Sequence, residues 1–252
     1  MSWIDLFIAL IGGTAAGIIN TLAGNGSAIT LLILTELLQL PPNVANGSNR
    51  LGVFSGSAVG AFIFHKNGKL KIERSRNYLL PTIVGAIGGV LLAIWVSNEQ
   101  FREVFRFMMV VMLFVILVKP KRWLRDTDLT QKPKLWISIP LFLIIGFYGG
   151  FIQMGMGIFF LAAMVLGARY SITDANAVKL VAVSFYTLLC ILIFHWQGLI
   201  HWQFGGLLAI GQVIGATIAA NFASRHPKAD LWAYRFLVTI IILALIKMFY
   251  PL

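Results

Sequence analysis

The stretch AVGAFIFHKNGKLKIERSRN at residues 58–77 has a counterpart in TLLCILIFHWQGLIHWQFGG at residues 187–206. Phe64, His65 and Gly68 of the first stretch recur as Phe194, His195 and Gly198 of the second, at a constant separation called here the repeat offset. A recurrence of this kind indicates a duplicated unit. Only the first copy carries a block of Lys and Arg. Because cytoplasmic loops of membrane proteins collect these residues, the two copies are predicted to lie on opposite sides of a membrane.

The composition indicates an all-α polytopic membrane protein. Hydrophobic residues make up 59% of the chain, the mean hydropathy is +0.86, and charged residues make up 12%, against roughly 25% in soluble domains. Most of its apolar runs reach the roughly 20 residues that a membrane-spanning helix needs. The second and seventh runs do not reach this length, and we expect each of them to form a short helix or a re-entrant segment. The runs are 3–23, 27–40, 43–65, 77–97, 101–118, 135–154, 156–168, 172–195, 202–222 and 232–250.

Several classes of function are not expected from this sequence. The formal net charge is +11, but the basic residues fall in short loops between apolar runs, so nucleic-acid binding is not predicted. The single cysteine, Cys190, allows no intrachain disulfide, and no histidine spacing or acidic cluster indicates a metal site. No phosphate-binding glycine loop indicates ATP-driven transport, no nucleophile has an evident base, and no cofactor is expected.

The charges of the loops predict the topology. Basic residues concentrate in segments 66–76, 119–134 and 225–235, which places these segments in the cytoplasm and both termini on the periplasmic side. Each half then makes an odd number of crossings, so the halves are inverted relative to each other. The predicted units are a first transmembrane repeat at 1–118, a basic cytoplasmic linker at 119–134 and a second transmembrane repeat at 135–252. Inverted repeats are typical of secondary transporters, with the substrate site at their interface near the midplane.

Two cations stand out within the apolar runs. Arg50 and Lys179 each follow the start of a predicted helix by about eight residues, which carries them roughly 12 Å into the membrane. Because a buried charge is costly, both are predicted to flank one central anion site. Two alternatives remain open: Arg50 could pair with Glu36, and Lys179 could extend toward Asp174 or a lipid headgroup.

Hydrogen-bonding side chains surround these cations in the sequence. Two aligned Arg/Lys-Leu dipeptides place Ser55 opposite Ser184, and two glycine-marked turns, Gly24-Asn25-Gly26 and Gly155-Met156-Gly157, precede the short runs. Amide donors and cations suit a small oxyanion, although each residue alone could equally serve helix packing. The predicted substrate-binding residues are Arg50, Lys179, Asn20, Asn25, Ser27, Asn46, Asn49, Ser55, Gln153, Asn176, Ser184 and Tyr186.

Three further ionisable residues are candidates for proton coupling. Glu36 lies within a short apolar run, where protonation of a carboxylate is favoured by desolvation. His65 and His195 occupy duplicated helix ends, where a histidine can shuttle protons near neutral pH. Surface solvation of Glu36 and a structural role for the histidines are the alternatives.

The order of the motifs in both halves resembles the TauE/SafE sulfite exporter family. The motifs read AAGIINTLAGNG, VANGSNRL, FHKNGKL and VGAIGG in the first half, then YGGFIQMGMG, DANAVKL, FHWQGLIHW and IGQVIG in the second. The resemblance implies a permease of the bacterial inner membrane that exports or takes up sulfite, thiosulfate or organosulfonates. With the inverted repeats it predicts a secondary transporter, an exporter, that works by alternating access, with a small anion and the lipid bilayer as its partners. An anion channel and a non-transporting membrane assembly factor remain as alternatives. The oligomeric state is left open.

Overall fold

A computed structural model describes residues 2–22, 24–68, 70, 75–117, 135–168 and 170–223. All regular elements in these ranges are helical. The helices α2 and α7 each continue into a π-helical segment of five residues, at Ile33–Leu37 and Ala163–Gly167 respectively. The helices are α1 (Trp3–Leu22), α2 (Gly26–Leu32), α3 (Pro42–Lys66), α4 (Arg76–Ala93), α5 (Asn98–Leu117), α6 (Leu135–Phe151), α7 (Met156–Ala162), α8 (Ile172–Trp196) and α9 (Trp202–Ala223).

The duplicated stretches at residues 58–77 and 187–206 contain the ends of two 25-residue helices, α3 and α8. Gly68 follows α3 with φ +67°, and Gly198 follows α8 with φ +66°. Glycine adopts this left-handed conformation without the strain of a Cβ atom and commonly stops a helix in this way. At the other end, Pro42 occupies the first turn of α3, where the missing N–H has no partner to lose.

Four described helices are long and apolar enough to cross a membrane: α1, α4, α8 from Asp174 onward, and α9. These helices indicate that the chain is a membrane protein. The segments Gly26–Leu37 and Met156–Val165 are shorter apolar helices. At 1.5 Å per residue neither spans a hydrocarbon layer of roughly 30 Å, in keeping with the two short runs in the sequence.

The helix α9 packs along α1 in the parallel sense. A Cβ atom placed on Gly13 would lie 2.9 Å from the carbonyl oxygen of Leu208, and one on Gly17 would lie 2.5 Å from that of Gln212. Glycine allows these backbones to approach closely. Equivalent contacts make α4 parallel to α6 and α9 parallel to α3: Gly146 with Thr82, Gly150 with Ala86, Gly205 with Ser48 and Gly56 with Gln212.

The helices α3 and α8 run antiparallel. A Cβ atom on Gly47, near the start of α3, would contact the ring of Phe194, near the end of α8. Further along α3, a Cβ atom on Gly60 would lie 3.0 Å from Leu180 in the first half of α8. These two helices form the centre of the molecule, and the core around them contains Val53, Val183 and Phe194.

Exposed tryptophans mark one end of the bundle. Trp3 begins α1 and is 87% exposed, and Trp202 begins the parallel helix α9 and is 52% exposed. Trp196 ends α8 and is 86% exposed; the short connection to α9 places it at the same end. Tryptophan is enriched at membrane interfaces, so this end matches an interfacial belt.

Some predictions fall on residues that lie outside the described ranges. These include the linker 119–134, the basic segment 225–235, the last apolar run 232–250, and residues 69 and 71–74 of the first basic segment. The division of the chain into repeats at 1–118 and 135–252 therefore remains a prediction.

Candidate functional site

The two glycine-marked turns are breaks between helices. After α1, Gly24 adopts φ +77° and donates its N–H to the carbonyl oxygens of Ile19, at 3.0 Å, and Asn20, at 3.1 Å. Asn25 then forms the N-cap of α2 without a side-chain capping bond. After α6, Gln153 and Gly155 adopt φ +66° and +71° before α7 begins. The helices α1 and α6 therefore each end with carbonyl groups that the following turn satisfies only in part.

The two breaks touch each other. A Cβ atom on Gly24 would lie 2.8 Å from the carbonyl carbon of Gly157, and a Cβ atom on Gly157 would lie 2.5 Å from the carbonyl oxygen of Gly24. Both distances are shorter than real Cβ contacts, so only glycine fits at either position. The backbones of two distant segments, one from each half of the chain, therefore meet at van der Waals distance beside the buried polar residues.

Arg50 is fully buried and caps the end of α6. Its Nη1 donates to the carbonyl oxygen of Gly149 at 2.7 Å and to Oε1 of Gln153. Its Nη2 donates to the carbonyl oxygens of Gly150 at 2.7 Å and Phe151 at 3.3 Å. The C-terminal end of a helix carries partial negative charge, so the helix end itself stabilises the guanidinium.

The same guanidinium has two further contacts. Nη2 donates to Oδ1 of Asn46 at 3.1 Å, one helical turn earlier in α3, and the ring of Phe194 lies 5.6 Å from Cζ, in the range of a cation–π contact. Nε has no hydrogen-bond partner. The alternative pairing with Glu36 is not formed: the π-segment residue Glu36 is half-buried and lines a cleft with Arg102 and Phe105 instead.

Lys179 is 1% exposed and binds the end of α1. Its Nζ donates to the carbonyl oxygen of Asn20 at 3.0 Å, so the ammonium is buried and does not extend to the surface. The repeat offset relates Asn20 to Gly150, whose carbonyl binds Arg50. The two cations therefore contact corresponding carbonyl groups, each at the end of the first helix of the other half.

Two asparagines repeat this arrangement. Asn46 Nδ2 donates to the carbonyl oxygen of Phe151 at 2.8 Å, and Asn176 Nδ2 donates to that of Thr21 at 2.9 Å. The repeat offset separates the two donors, and it also separates the two acceptors. Oδ1 of Asn46 accepts from Arg50, whereas Oδ1 of Asn176 is buried without a partner. The two helix ends thus carry equivalent asparagines but different cations.

The helix bounds correct one predicted alignment. Because α3 begins at Pro42 and α8 at Ile172 and both contain 25 residues, the repeat offset pairs Asn49 with Lys179 and Arg50 with Leu180. The predicted alignment of Arg50 with Lys179 is wrong by one position. The cations nevertheless reach corresponding acceptors because the guanidinium and the ammonium approach from neighbouring positions on their helices. By the same offset Asn25, not Gly24, corresponds to Gly155.

Several predicted polar residues are buried with unpartnered atoms. Both side-chain amide atoms of Asn25 and Nδ2 of Asn49 have no hydrogen-bond partner, whereas the hydroxyl of the fully buried Tyr186 lies against Gln153 and Thr187. Oδ1 of Asn49 accepts from the Thr30 hydroxyl. Buried polar groups are normally paired, so these atoms are available for water or a ligand.

The remaining predicted residues lie in different environments. Ser27 is buried in α2, and Asn20 is 8% exposed. Ser55 is half-buried, as is Ser184, whose hydroxyl donates to the carbonyl oxygen of Val181 on its own helix at 2.9 Å. His65 and His195 are exposed at the ends of the antiparallel helices α3 and α8, about fifteen residues, or roughly 22 Å, from Arg50 and Lys179.

The buried polar residues that sequence reasoning missed include Thr30, Thr187 and Gln212. Thr30 donates to Asn49, Thr187 has an unpartnered hydroxyl, and Gln212 is fully buried in α9 with both amide atoms unpartnered. The repeat offset relates Thr187 to the buried Ser57. The duplication would have found Thr187, whereas a single glutamine in an apolar run gave no signal that it lies against glycines of α1 and α3.

The buried part of the described chain carries an unbalanced charge. Among described residues that are buried, Arg50 and Lys179 are cations and none carries a carboxylate. Backbone carbonyls stabilise these cations without neutralising their charge. The buried charge of the described residues is therefore positive, and a positive region favours anions over cations.

Several known proteins are similar in sequence to this chain over most of its length. Relatives include a probable membrane transporter protein ORF9 of a Sinorhizobium species, 26% identical over 82% of this chain and 79% of its own. The probable membrane transporter protein YfcA of Escherichia coli strain K12 is 25% identical over 85% of this chain and 78% of its own. A probable membrane transporter protein of Haemophilus influenzae is 25% identical over 86% and 84%. No solved structure matches the chain.

The apolar helices, the buried polar centre and these relatives define a membrane transporter, not an enzyme. The family model described as sulfite exporter TauE/SafE matches residues 9–248. The chain belongs to this family.

Proposed function

We propose that this protein is a secondary transporter that carries small anions such as sulfite, thiosulfate or organosulfonates across the bacterial inner membrane by alternating access. The observation that carries the proposal is the pair of buried cations, Arg50 and Lys179, in a described core without buried carboxylates. A site with this charge stabilises an anion that leaves water. The family match supports a sulfur oxyanion as cargo.

The proposed architecture is two inverted repeats. The antiparallel packing of α3 on α8 and the equal lengths of these helices support it. So do the paired bonds from Asn46 to Phe151 and from Asn176 to Thr21, since each half holds the first helix of the other in the same way. Inverted repeats exchange roles when a transporter changes its open side.

The proposed substrate site lies where the helix breaks meet. Arg50 uses both η nitrogens on the end of α6, which suits a closed state without cargo. An oxyanion offers the same acceptors in a geometry that matches the guanidinium fork, so it can replace helix-end carbonyls when the halves move. Asn25 and Asn49 have unpartnered amide groups that can contact the anion.

The remaining predicted ligands complete this proposed site. Gln153 already binds Arg50 and would move with it. Further polar contacts to the anion would come from side chains next to the helix breaks and on α3 and α8: Asn20, Ser27, Asn46, Ser55, Asn176, Ser184 and Tyr186.

The proposed orientation places both termini in the periplasm. The basic residues Lys66 and Arg76 lie at the end of α3 and the start of α4, whereas Trp3 lies at the start of α1, which runs parallel to α3 through their common neighbour α9. The basic end is therefore opposite the N-terminal end. The positive-inside rule assigns the basic end to the cytoplasm.

The test uses purified protein in liposomes with sulfite, thiosulfate, sulfate, acetate and methanesulfonate. Counterflow of a labelled anion against an excess of the same anion distinguishes a carrier from a channel. We expect counterflow with a subset of these anions, together with thermal stabilisation of the detergent-solubilised protein by the same subset. An anion at 100 times its Kd stabilises by about 2.7 kcal/mol, which is readily measured.

Variants locate the site. Arg50→Ala and Lys179→Ala should abolish both counterflow and stabilisation, whereas Lys66→Ala, which removes an exposed cation at a helix end, should abolish neither. Absence of counterflow and of stabilisation with every anion, in wild-type protein that remains folded, would refute the proposed function. Equal loss in all three variants would refute the proposed site.

A further inference from the structure

The two helix ends are held by cations of different chemistry. Arginine keeps its charge in proteins under all physiological conditions, whereas the lysine side chain can give up one proton and serve as an acid or base. Arg50 contacts the end of α6, and Lys179 contacts the end of α1 at the corresponding carbonyl. One half therefore carries a fixed charge and the other a titratable charge.

The two contacts also differ in their donor atoms. Arg50 distributes two nitrogens over the carbonyl oxygens of Gly149, Gly150 and Phe151, so its displacement would leave a set of buried acceptors without donors. Lys179 reaches the end of α1 through one atom, Nζ. Loss of one proton leaves a neutral amine that can still donate to the carbonyl oxygen of Asn20. The lysine can thus change charge without leaving its place.

We propose that Lys179 is the proton-coupling residue of the transporter and that Arg50 is its permanently charged counterpart. This inference rests on the proposed anion transport. With the ammonium form present, the site holds two positive charges and retains the anion. After the anion leaves, the ammonium gives its proton to water on that side and becomes an amine, so the empty site returns with one charge fewer. On the original side the amine takes up a proton from water before the next anion binds, so one proton moves with each anion in the same direction.

Other ionisable groups are poorly placed for this role. Glu36, His65 and His195, the candidates from the sequence, are half-buried or exposed, whereas Lys179 is 1% exposed at the interface between α8 and α1. Asp174 lies at the first turn of α8, and the aromatic and thiol groups in the core are neutral near pH 7. The described ionisable groups on α8 and on the helices around it are Asp5, Arg50, His65, Lys66, Arg76, Tyr78, Tyr148, Asp174, Tyr186, Cys190 and His195.

The test measures the number of protons that move with each anion. Methanesulfonate is the probe because it stays ionised near neutral pH and carries no proton of its own. Wild-type protein, Lys179→Arg and Arg50→Lys are reconstituted in liposomes that contain a pH-sensitive dye, and anion uptake and internal acidification are recorded together. If methanesulfonate does not move, thiosulfate is the second probe. The ratio of the two fluxes is independent of the amount of active protein.

We expect wild-type protein to acidify the liposomes as the anion enters. In Lys179→Arg, whose guanidinium keeps its proton, the ratio should fall to the level of protein-free liposomes, and an imposed pH gradient should no longer drive accumulation. In Arg50→Lys, which keeps a cation at both helix ends, anion flux should fall but the ratio of protons to anions should not.

Three outcomes would overturn the inference. The first is anion flux in wild-type protein without acidification; counterflow would then remain, so the proposed function would survive. The second is an unchanged ratio in Lys179→Arg. The third applies if Lys179→Arg gives no measurable flux: thermal stabilisation by methanesulfonate is then compared across pH in detergent-solubilised wild-type protein and Lys179→Arg, and the same pH dependence in both would refute the role of Lys179.

Discussion

The contact between Gly24 and Gly157 makes a prediction about stability that can be worked out in parts. Gly24→Ala places a methyl group on a residue with φ +77° and only 2.8 Å from the backbone of Gly157. Left-handed backbone costs an alanine about 1–2 kcal/mol. Overlap with backbone atoms, which cannot rotate away, adds about 1–3 kcal/mol. The expected loss in free energy of unfolding is therefore about 2–5 kcal/mol.

The chain offers a control for each part. Gly68 has φ +67° and open space around it, so Gly68→Ala should lose only the conformational part, about 1–2 kcal/mol. Gly157→Ala overlaps the carbonyl oxygen of Gly24 at 2.5 Å without a left-handed backbone, so it should lose only the overlap part, about 1–3 kcal/mol.

The assay is unfolding of the purified protein in mixed micelles titrated with a denaturing detergent, followed by tryptophan fluorescence. Gly24→Ala should unfold first and Gly68→Ala later. An equal loss of stability in Gly24→Ala and Gly68→Ala would show that the backbones of the two breaks do not touch, and the proposed meeting of the two halves at this point would fail. Counterflow in the same variants would show whether this contact is also needed for transport.

Three further predictions concern the same interface. Asn46→Ala should lose about 2 kcal/mol and Asn176→Ala about 1 kcal/mol, because only the first also accepts a bond from the buried guanidinium; equal losses in detergent unfolding would contradict this difference. Thr30→Val should lose about 1 kcal/mol, since it removes a buried bond between α2 and α3, and an unchanged unfolding midpoint would exclude that bond. Gly68→Cys and Gly198→Cys should react with an impermeant thiol reagent from opposite sides of sealed vesicles; labelling from one side would refute the inverted repeats.

Local features of the sequence were sufficient for the class of protein and for the helices. Membrane embedding follows from apolar runs of the right length, and helix ends follow from glycines such as Gly68 and Gly198, because both depend on residues that are neighbours in the chain. The buried cations were also predictable, since Arg50 and Lys179 lie about eight residues inside otherwise apolar helices. The duplication supplied the expectation that these two residues are related.

The sequence did not reveal what the cations bind. Arg50 could have paired with Glu36, which is near it in the sequence, but it contacts the end of α6 about a hundred residues away. The carbonyl groups of a helix end carry no sequence signal, because every residue has one. The difference of one position between Arg50 and Lys179 follows from the repeat offset of the sequence itself, but two similar dipeptides suggested an alignment that neither this offset nor the helix bounds support.

By itself, the sequence determined a helical membrane protein with a duplicated order of motifs, two short apolar segments that each follow a glycine-marked turn, and two cations inside otherwise apolar helices. Only the tertiary structure decided that each half binds the first helix of the other through Asn46 and Asn176, and that the helix breaks meet at Gly24 and Gly157. The physical reason is that helix formation and burial depend on residues close together in the chain. The acceptors of a buried charge and the fit of two backbones depend instead on segments far apart in the sequence, which come together only when the helices pack.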